Sequence, residues 1–469
     1  MIHDVVTFLN NIVWGYILLY MLVLAGIWFT IRLKAIQFRH FFHMFSVMRH
    51  SRTGDATSIS SFQALCTTLA ARVGTGNLMG VAVAISLGGP GAVFWMWVIA
   101  LVGMATAFAE STLAQLYKEK DHLGSFRGGP AYYMRKGLKS PAMAFIFSIC
   151  LFFGYGFVFG AVQANSITDA FNGSYGIDPM YTGVVITLLT AVIVVGGLKN
   201  IARFAELAVP FMGIAYVLVA LIVIGMNISV VPGIFADIVG SAFGLREAGS
   251  GLVGAAIMQG VKRGLYSNEA GMGSAPNAAA AATPYPPHPV SQGYVQMLGV
   301  FMDTIVLCTC TALIILMSGI PLGQEFGIQL TQQALVNQVG SWGGDFISIA
   351  ILFFGFTSIV ANYAYAENSL SFIGLNNKLG KLFFNIVFLV MIFYGSVATL
   401  GEVIAMADLG VGLMTIVNVT AIVLLTKSLV FVAKDYNQHL DAGKLPEFNI
   451  DEQQEQKMRL TKHIWRRQV

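Results

Sequence analysis

Two interruptions inside long apolar segments constrain the fold of this chain more than any other feature of its sequence. The first covers residues 70–77 and the second residues 267–274, and each contains glycines and one charged residue, Arg72 or Glu269. Glycine weakens a helix, and a charge buried in a membrane is costly unless it is paired. Interrupted apolar segments at corresponding places in two halves of a chain indicate the binding site of a membrane transporter.

The composition indicates an integral membrane protein. Of the 469 residues, 56% are hydrophobic and 11% are charged, whereas soluble proteins have about 25% charged residues. The four cysteines lie in apolar stretches, without the spacing of a disulfide framework or a zinc site. The apolar runs predict an all-α protein with eleven transmembrane helices at 11–31, 63–88, 91–117, 141–171, 180–197, 205–227, 248–282, 289–318, 344–373, 382–405 and 408–433.

Basic residues orient these spans. Residues 1–11 contain no Lys or Arg, so the run at 11–31 is interpreted as a retained helix rather than a signal peptide. With the N-terminus outside, 22 Lys and Arg residues lie in inside segments and only Arg246 lies in an outside segment. Because basic residues favour the cytoplasmic side, we expect a multi-pass protein of the cell inner (plasma) membrane with an outside N-terminus and a cytoplasmic C-terminus.

The spans divide into two halves. An extra N-terminal helix and a basic cytoplasmic loop occupy residues 1–62, and two sets of five spans follow at 63–227 and 248–433. The cytoplasmic tail, 434–469, carries no catalytic signature and could be mobile. An odd number of spans per half gives the halves opposite orientations, which predicts a 5+5 inverted repeat. Each half begins with its interrupted segment, as expected for the LeuT-type fold.

Four glycine-rich blocks carry a resemblance to a known family. They are GTGN at 74–77, GGPGAVFWMW at 88–97, GGPAYY at 128–133 and GLYSNEAGMG at 264–273. With these blocks the chain resembles the alanine or glycine:cation symporters, also called sodium:alanine symporters, over roughly residues 1–440. The resemblance implies sodium-coupled uptake of alanine or glycine on a LeuT-type scaffold.

The first interruption is a candidate site for the carboxylate of an amino acid. Free N–H groups at the N-terminus of a half-helix bind anions, and Gly74, Thr75, Gly76 and Asn77 would supply them. The Thr75 hydroxyl and the Asn77 amide would add side-chain partners. The alternative is a helix-packing face, because Gly76 and Gly80 have the spacing of a packing motif.

The second interruption is expected to line the opposite wall of a small pocket. Carbonyl groups freed by unwinding could accept the substrate ammonium, and the glycines would leave room near it. The residues assigned to this wall are Asn268, Gly271, Met272, Gly273 and Ser274. The family resemblance also implies that Gln163 contacts the substrate, and a structural hydrogen bond is the alternative.

A sodium site follows from the fold that the chain resembles. The corresponding positions are the carbonyls of Ala70 and Val73 and the hydroxyls of Thr357 and Ser358. Hydroxyls in membrane helices also bond to backbone without any ion, so both interpretations stay open. The sequence indicates no other cofactor.

Arg72 and Glu269 are the unusual charged pair. We expect them to be near contact distance, or each to bond a neighbouring polar group, either as a brace for the unwound backbone or as a gate. Four further carboxylates within or beside the apolar segments could each be a proton site or a hydrogen-bond partner at a helix end, and none is assigned a role: Glu110, Asp303, Glu367 and Glu402.

The leading hypothesis is secondary active symport of a small neutral amino acid with sodium across the lipid bilayer, with proton coupling as the alternative. An ATPase, a metalloprotease and a serine hydrolase are disfavoured, since the sequence has no GxxxxGK[ST], HExxH or GxSxG motif. No pore loop or repeated charged ring suggests a channel. No nucleic-acid partner is predicted, and the sequence leaves the oligomeric state open.

Overall fold

Helices make up most of the protein. The computed structural model describes residues 2–51, 58–121, 124–194, 197–245, 250–322 and 326–465. The helices are α1 Asp4–Arg32, α2 Ile36–Arg39, α3 Phe41–His50, α4 Ser61–Arg72, α5 Gly76–Gly88, α6 Gly91–Leu116, α7 Pro130–Lys136, α8 Pro141–Tyr175, α9 Pro179–Val194, α10 Gly197–Met226, α11 Val231–Ala242, α12 Ser250–Asn268, α13 Ala275–Ala281, α14 Pro289–Met317, α15 Ile328–Val339, α16 Trp342–Phe372, α17 Lys378–Val397, α18 Leu400–Leu424, α19 Thr426–Asp441 and α20 Glu452–Met458. Four two-residue strands are β1 Ile59–Ser60, β2 Glu119–Lys120, β3 Phe126–Arg127 and β4 Ala282–Thr283.

Eight helices are long and apolar enough to cross a bilayer: α1, α6, α8, α10, α14, α16, α17 and α18. The pair α4 and α5, bent by 50°, is a ninth span if it is counted as one. The predicted span at 180–197 corresponds to α9, of 16 residues. The predicted span at 248–282 is divided between α12 and α13, of 19 and 7 residues. The described part of the chain thus gives eight or nine spans by length and composition, and eleven stays a prediction.

The predicted boundary between the last two spans was wrong. Instead of ending at 405, α17 ends at Val397, and α18 begins at Leu400. The reason is a capping box, in which the Thr399 and Glu402 side chains each bond the other residue's backbone N–H. This reciprocal capping satisfies two N–H groups at the helix N-terminus and places the helix start inside an otherwise apolar stretch.

The two broken helices run in opposite directions. β1 immediately precedes α4, and β4 immediately follows α13, and the two strands pair in parallel with Ile59 opposite Ala282 and Ser60 opposite Thr283. The first broken helix therefore begins at the face where the second one ends. At the other end, a side chain at Gly88, the last residue of α5, would meet the Ala255 carbonyl of α12 at 3.1 Å.

Three π-helical segments lie along helices that reach the breaks. They are Gly76–Gly80 in α5, Gly154–Val158 in α8 and Phe301–Cys308 in α14. π-helical turns inside α-helices are frequent at functional sites. Each segment contains or adjoins a polar residue of the site described below, namely Asn77, Tyr155 or Asp303.

The C-terminal region is folded onto the helices, so the expectation that it could be mobile was wrong for residues up to 465. The Trp465 indole N–H donates to the Leu116 carbonyl at 3.3 Å, and the Phe448 N–H donates to the Pro287 carbonyl at 3.1 Å. The buried His288 ring contacts both Tyr436 and Phe448. Arg246 and residue 248, which bear on the predicted orientation and on the start of the second half, lie outside the described residues.

Candidate binding site at the two helix breaks

The first break leaves two backbone N–H groups bonded to side chains. α4 ends at Arg72, and the Val73 N–H closes the last turn on the Leu69 carbonyl. The Gly74 N–H then donates to Asn77 Oδ1 at 3.1 Å, and the Thr75 N–H donates to Gln163 Oε1 at 3.1 Å. The Gly74 N–H also donates to the Arg72 carbonyl, at 2.9 Å. At Thr75, therefore, a side-chain amide oxygen takes the place of a helix carbonyl, and at Gly74 it supplements a backbone carbonyl.

Gln163 and Asn77 connect this break to two other helices. Gln163 is buried on α8, and its amide lies so close to Gly74 that a side chain there would meet Gln163 Oε1 at 2.8 Å. Asn77 Nδ2 donates to Asp303 Oδ1 on α14 at 2.8 Å. Four of the residues predicted to bind substrate, Gly74, Thr75, Asn77 and Gln163, therefore lie together in the structure, and Asp303 joins them.

The predicted sodium-site residues meet in part. Ser358 Oγ on α16 donates to the Ala70 carbonyl at 2.7 Å and to the Phe354 carbonyl of its own helix at 2.8 Å. Thr357 Oγ1 bonds Phe354 as well, at 3.0 Å. Val73 is buried at the end of α4. Two oxygens from different helices, those of Ala70 and Ser358, thus lie side by side beside the first break.

The second break is held by a buried carboxylate on α6. Glu110 Oε1 and Oε2 accept the N–H groups of Gly271 and Gly273, each at 3.2 Å. The Asn418 amide donates to Glu110 Oε2 at 2.8 Å and to the Gly271 carbonyl at 2.9 Å. The backbone is left-handed at both glycines, with φ of 92° and 83°, a conformation that glycine adopts without a steric penalty. Glu110, which the sequence left without a role, is a brace.

The glycines of the second break have other neighbours than predicted. A side chain at Gly271 would meet Thr106 and Val419, and one at Gly273 would meet Phe147 and Pro130. Asn277 Nδ2 donates to the carbonyls of Gly273 and Ser274. The space and the carbonyls expected for an ammonium group at these two glycines are therefore taken by the protein's own side chains, because neighbouring helices pack tightly against this backbone.

The remaining residues of that wall are buried as well. Asn268 ends α12, and its Oδ1 accepts the Ala270 N–H at 3.0 Å. The Met272 N–H donates to the Glu269 carbonyl at 3.1 Å. Ser274 Oγ donates to Glu269 Oε2 at 2.7 Å. The segment between α12 and α13 therefore also forms three hydrogen bonds within itself.

Arg72 and Glu269 follow the second of the two expected arrangements, in which each bonds another group. Glu269 accepts from Ser274 and from the Tyr155 hydroxyl, the latter at 2.8 Å. Arg72 Nη1 donates to the Gln296 carbonyl at 3.4 Å, while Nε and Nη2 have no hydrogen-bond partner among the residues that the structure describes. The geometry favours a brace at Glu269 and leaves two guanidinium nitrogens of Arg72 unbonded.

An aromatic stack beside the site escaped the sequence analysis. Tyr266 stacks on Phe159 with ring centroids 5.1 Å apart, and Phe159 stacks on Tyr155 at 4.6 Å. Tyr155, Phe159 and Gln163 follow one another at four-residue intervals on α8, so they share a face of that helix. That spacing is the signal in the sequence that could have identified the stack.

A buried ionic cluster lies one turn before Tyr266. Arg263 Nη2 is 2.8 Å from both carboxylate oxygens of Asp408 on α18, and Lys262 Nζ is 2.6 Å from Oδ2. The Arg263 guanidinium is 5.6 Å from the centre of the Tyr266 ring. This cluster, also missed in the sequence analysis, ties the first half of the second broken helix to α18.

A cavity of about 150 Å³ opens at the other end of the site, where β1 and β4 pair. Ser58, Asp121, Asn277 and Tyr365 are among its lining residues. The Tyr365 ring lies 5.4 Å from that of Tyr155, so the cavity reaches the aromatic side chains beside the breaks.

Comparisons with known proteins agree with this architecture. The model of the sodium:alanine symporter family matches residues 1–450. A Bacillus subtilis protein named as a probable sodium/glutamine symporter, GlnT, is 47% identical over 96% of this chain and 94% of its own length. The sodium/alanine symporter AgcS of Methanococcus maripaludis is 40% identical, over 93% of this chain and 97% of its own. Other relatives are named for sodium- and proton-dependent alanine transport.

Among solved structures, the crystal structure of MhsT in complex with L-phenylalanine matches with a TM-score of 0.54 and 12% identity, over 81% of this chain and 99% of that chain. At this identity the likeness shows the fold alone, which is the LeuT-type fold. Family and fold are those of multi-pass secondary transporters and not of enzymes, and the chain belongs to the sodium:alanine symporter family.

Proposed function

We propose that this protein imports a small neutral amino acid, alanine or glycine, together with sodium by alternating access. The family and the relatives support cation-coupled symport of an amino acid, without specifying which amino acid or which cation. The observation that carries the finer proposal is the meeting of four groups at the first break: two N–H groups that bond side-chain oxygens, and the adjoining oxygens of Ala70 and Ser358.

The amino acid carboxylate binds at the N–H groups of Gly74 and Thr75. These donors precede α5 and point at Asn77 Oδ1 and Gln163 Oε1. A carboxylate oxygen is a stronger acceptor than a neutral amide, and the start of a helix favours negative charge. The substrate therefore displaces Gln163 from Thr75, and the freed Gln163 amide donates to the carboxylate from the side.

The ammonium group faces the C-terminal end of α12. The last carbonyls of a helix have no partner within that helix and carry partial negative charge, and α12 ends at Asn268. A side chain at Gly76 would meet Ser267 Cα at 3.0 Å, so the two broken helices approach closely here. This close approach supports a substrate with a short side chain.

Sodium binds beside the first break, between α4 and α16. The Ala70 carbonyl and the Ser358 hydroxyl are the central ligands, and Thr357 and Val73 complete the set by a small rotation of the hydroxyl and the carbonyl. Sodium prefers oxygen ligands, as hard cations do. A membrane potential of about 100 mV contributes roughly 2.3 kcal/mol for each cation that enters. This free energy is sufficient for uphill uptake of a zwitterion.

Uptake of labelled alanine into proteoliposomes tests this function. We expect an inward sodium gradient to drive accumulation and unlabelled glycine to compete with it. Accumulation that ignores sodium and follows a proton gradient would show that protons, not sodium, are the coupling ion. Proton coupling is the second candidate function, and the buried carboxylates of the site are groups that could carry the proton. If unlabelled glutamine inhibited uptake of labelled alanine more strongly than unlabelled alanine or glycine did, the proposal of a substrate with a short side chain would be contradicted.

The predicted orientation belongs to the same proposal. With the N-terminus outside, the cavity lined by Asp121 and Asn277 faces the cytoplasm, and the Arg263–Asp408 cluster faces outward. The opposite directions of the two broken helices support inverted halves at 63–227 and 248–433. Labelling of single cysteines introduced near Lys444 and near Gly176 in intact cells tests which face each occupies.

A further inference from the structure

A groove with apolar walls lies between α4, α10 and α14. Its volume is about 450 Å³, within the range of pockets that hold a small ligand. Among the described residues, every side chain that lines the groove is apolar. Such walls suit a hydrocarbon ligand and not a polar one.

Two walls of the groove are formed by stripes of apolar side chains. In a helix, residues four positions apart lie on the same face. The stripes are Leu65, Leu69 and Val73 on α4, and Leu298, Met302 and Val306 on α14. Each stripe covers eight residues of rise, about 12 Å along a helix. The groove is therefore an elongated slot that follows α4 up to the first break, because Val73 comes directly after α4.

The third wall, α10, opens the groove to the bilayer. This helix is long and apolar enough to span a membrane, and its residues Phe211 and Ile214 are 74% and 62% exposed. At Gly213, which lines the groove, an added side chain would begin in open space, with no atom within 4 Å. Because the open side of the groove lies along an exposed apolar face of a spanning helix, lipid chains of the bilayer reach it directly.

One end of the groove carries a basic residue. Phe45 and Met48 of α3 line this end, and the Phe62 N–H at the start of α4 donates to the Ser51 carbonyl, directly after α3, at 3.0 Å. Arg49 is exposed and lies one turn after Phe45, on the same face of α3. Helices with apolar and basic faces lie at membrane interfaces, where arginine attracts anionic lipid. This end therefore fits an anionic head group.

The acidic residue near this end lies on a different helix. Glu206 of α10 accepts the Gln63 amide of α4 at 2.8 Å, which holds its carboxylate at the junction of α4 and α10. An anionic head group is therefore expected on the α3 side of the groove, at Arg49.

We propose that this groove binds one acyl chain of an anionic phospholipid, with the head group at Arg49. The proposed orientation puts this end of the groove at the cytoplasmic leaflet. The chain fills the slot from Phe45 to Val73 and contacts α4, α10 and α14 together, so it favours the arrangement in which α4 is packed against both neighbours. The inference goes beyond the proposed function, and its binding tests do not depend on which amino acid or cation is carried.

Retention of phosphatidylglycerol by the detergent-purified full chain, measured by native mass spectrometry, tests the site. We expect the wild type to retain one phosphatidylglycerol in preference to phosphatidylcholine. Gly213→Phe fills the groove from a position with room for a side chain. It should raise the half-saturating phosphatidylglycerol concentration by about tenfold or more, because several methylene groups lose their contacts. Arg49→Gln should reduce the preference for phosphatidylglycerol by roughly fivefold, as expected for one basic residue at an anionic surface.

Gly225→Phe is the matched control for Gly213→Phe. Gly225 also lies on α10 and is exposed, an added side chain would meet no atom within 4 Å, and it is not among the residues that line the groove. This variant should retain the lipid as the wild type does. Lys378→Gln removes an exposed basic residue at the start of α17; as the control for Arg49→Gln, it should keep the preference for phosphatidylglycerol.

Thermal unfolding gives a second readout. Added phosphatidylglycerol should raise the unfolding temperature of the wild type and Gly225→Phe more than added phosphatidylcholine does. It should not raise that of Gly213→Phe, in which the phenylalanine already occupies the groove.

Several outcomes would overturn the lipid site. Equal phosphatidylglycerol retention in the wild type and Gly213→Phe would show that the groove does not hold the lipid. Equal losses in Gly213→Phe and Gly225→Phe would assign the lipid to the general shell around the protein. A dimer that Gly213→Phe dissociates, without lipid retention, would assign the groove to a second copy of the chain. If Gly213→Phe does not fold, Gly213→Leu carries the test.

The head group and the transport function are tested separately. An unchanged lipid preference in Arg49→Gln would overturn the contact between Arg49 and the head group. Alanine uptake that ignores sodium would overturn the proposed function, whereas the retention of phosphatidylglycerol would be unaffected.

Discussion

Replacing Gly74 by alanine is predicted to weaken binding of both the amino acid and sodium. The added methyl group would lie 2.8 Å from Gln163 Oε1 and closer still to Ser358 Oγ. To make room, Gln163 would have to give up its bond to the Thr75 N–H, or Ser358 its bond to the Ala70 carbonyl. Such overpacking costs about 1–3 kcal/mol, which corresponds to about 5- to 150-fold in a dissociation constant.

Two glycines of α5 give a graded series for this experiment. At Gly80 the nearest atom to an added methyl is the Thr75 carbonyl oxygen at 3.7 Å, an ordinary contact, so Gly80→Ala should behave as wild type. At Gly76 the methyl would meet Ser267 Cα at 3.0 Å and press the two broken helices apart. Half-saturating alanine and sodium concentrations are measured by uptake into proteoliposomes, and thermal unfolding confirms that each variant is folded.

The refuting result is specific. A folded Gly74→Ala protein with wild-type half-saturation for both alanine and sodium would show that neither Gln163 nor Ser358 is part of the site. If Gly74→Ala and Gly80→Ala weakened alanine and sodium binding equally, the effect would arise from helix packing in general. The short distances from Gly74 to Gln163 and Ser358 would then not explain it.

Three further predictions concern the surroundings of the site. Glu110→Gln leaves at least one of the buried donors that meet Glu110 without an acceptor and should destabilise the protein by about 1–3 kcal/mol, seen as a lower thermal unfolding temperature; an unchanged temperature would contradict the brace. Asp408→Asn leaves Arg263 without its carboxylate, and breaking such a buried pair costs about 3–5 kcal/mol; uptake should fall, and accessibility of an engineered cysteine at Tyr266 to outside reagents should rise. Burial lowers the pKa of His288 below 6.5 despite Asp435 at 3.2 Å. As the pH drops below 6.5, His288 is therefore protonated in the unfolded chain before it is protonated in the folded protein, and the stability of the folded protein falls. His288→Asn should make the thermal unfolding temperature less dependent on pH in this range, and an unaltered pH profile would contradict this role of His288.

Much of the fold follows from the length and spacing of the apolar runs. A bilayer-spanning segment must satisfy its own backbone, so long apolar runs such as the one that becomes α16 are recognisable without any knowledge of their neighbours. The start of α18 was missed because Thr399 and Glu402 act through a local hydrogen-bond exchange that a hydropathy pattern does not register. The packed tail was missed because single residues such as Trp465 anchor it.

Some features of the candidate site could likewise be predicted from the sequence, and others could not. The breaks were predictable because glycine and charge in an apolar run are local signals, and the meeting of Ala70 with Ser358 followed from the resemblance to a known fold. The partners of the second break were not predictable: Glu110 and Asn418 lie 161 and 147 residues from Gly271 along the chain. Which carboxylate braces backbone and which faces hydroxyls depends on contacts that only the folded chain brings together.

The short ladder between β1 and β4 has a mechanical consequence. It fastens the start of α4 to the end of α13, which are halves of two different broken helices. If alternating access moves these two half-helices, as the proposed function requires, the ladder predicts that α4 and α13 move together and relative to α5 and α12. We then expect the bending to fall on the two breaks, at residues 73–75 and 269–274, where the helical hydrogen bonding is already interrupted.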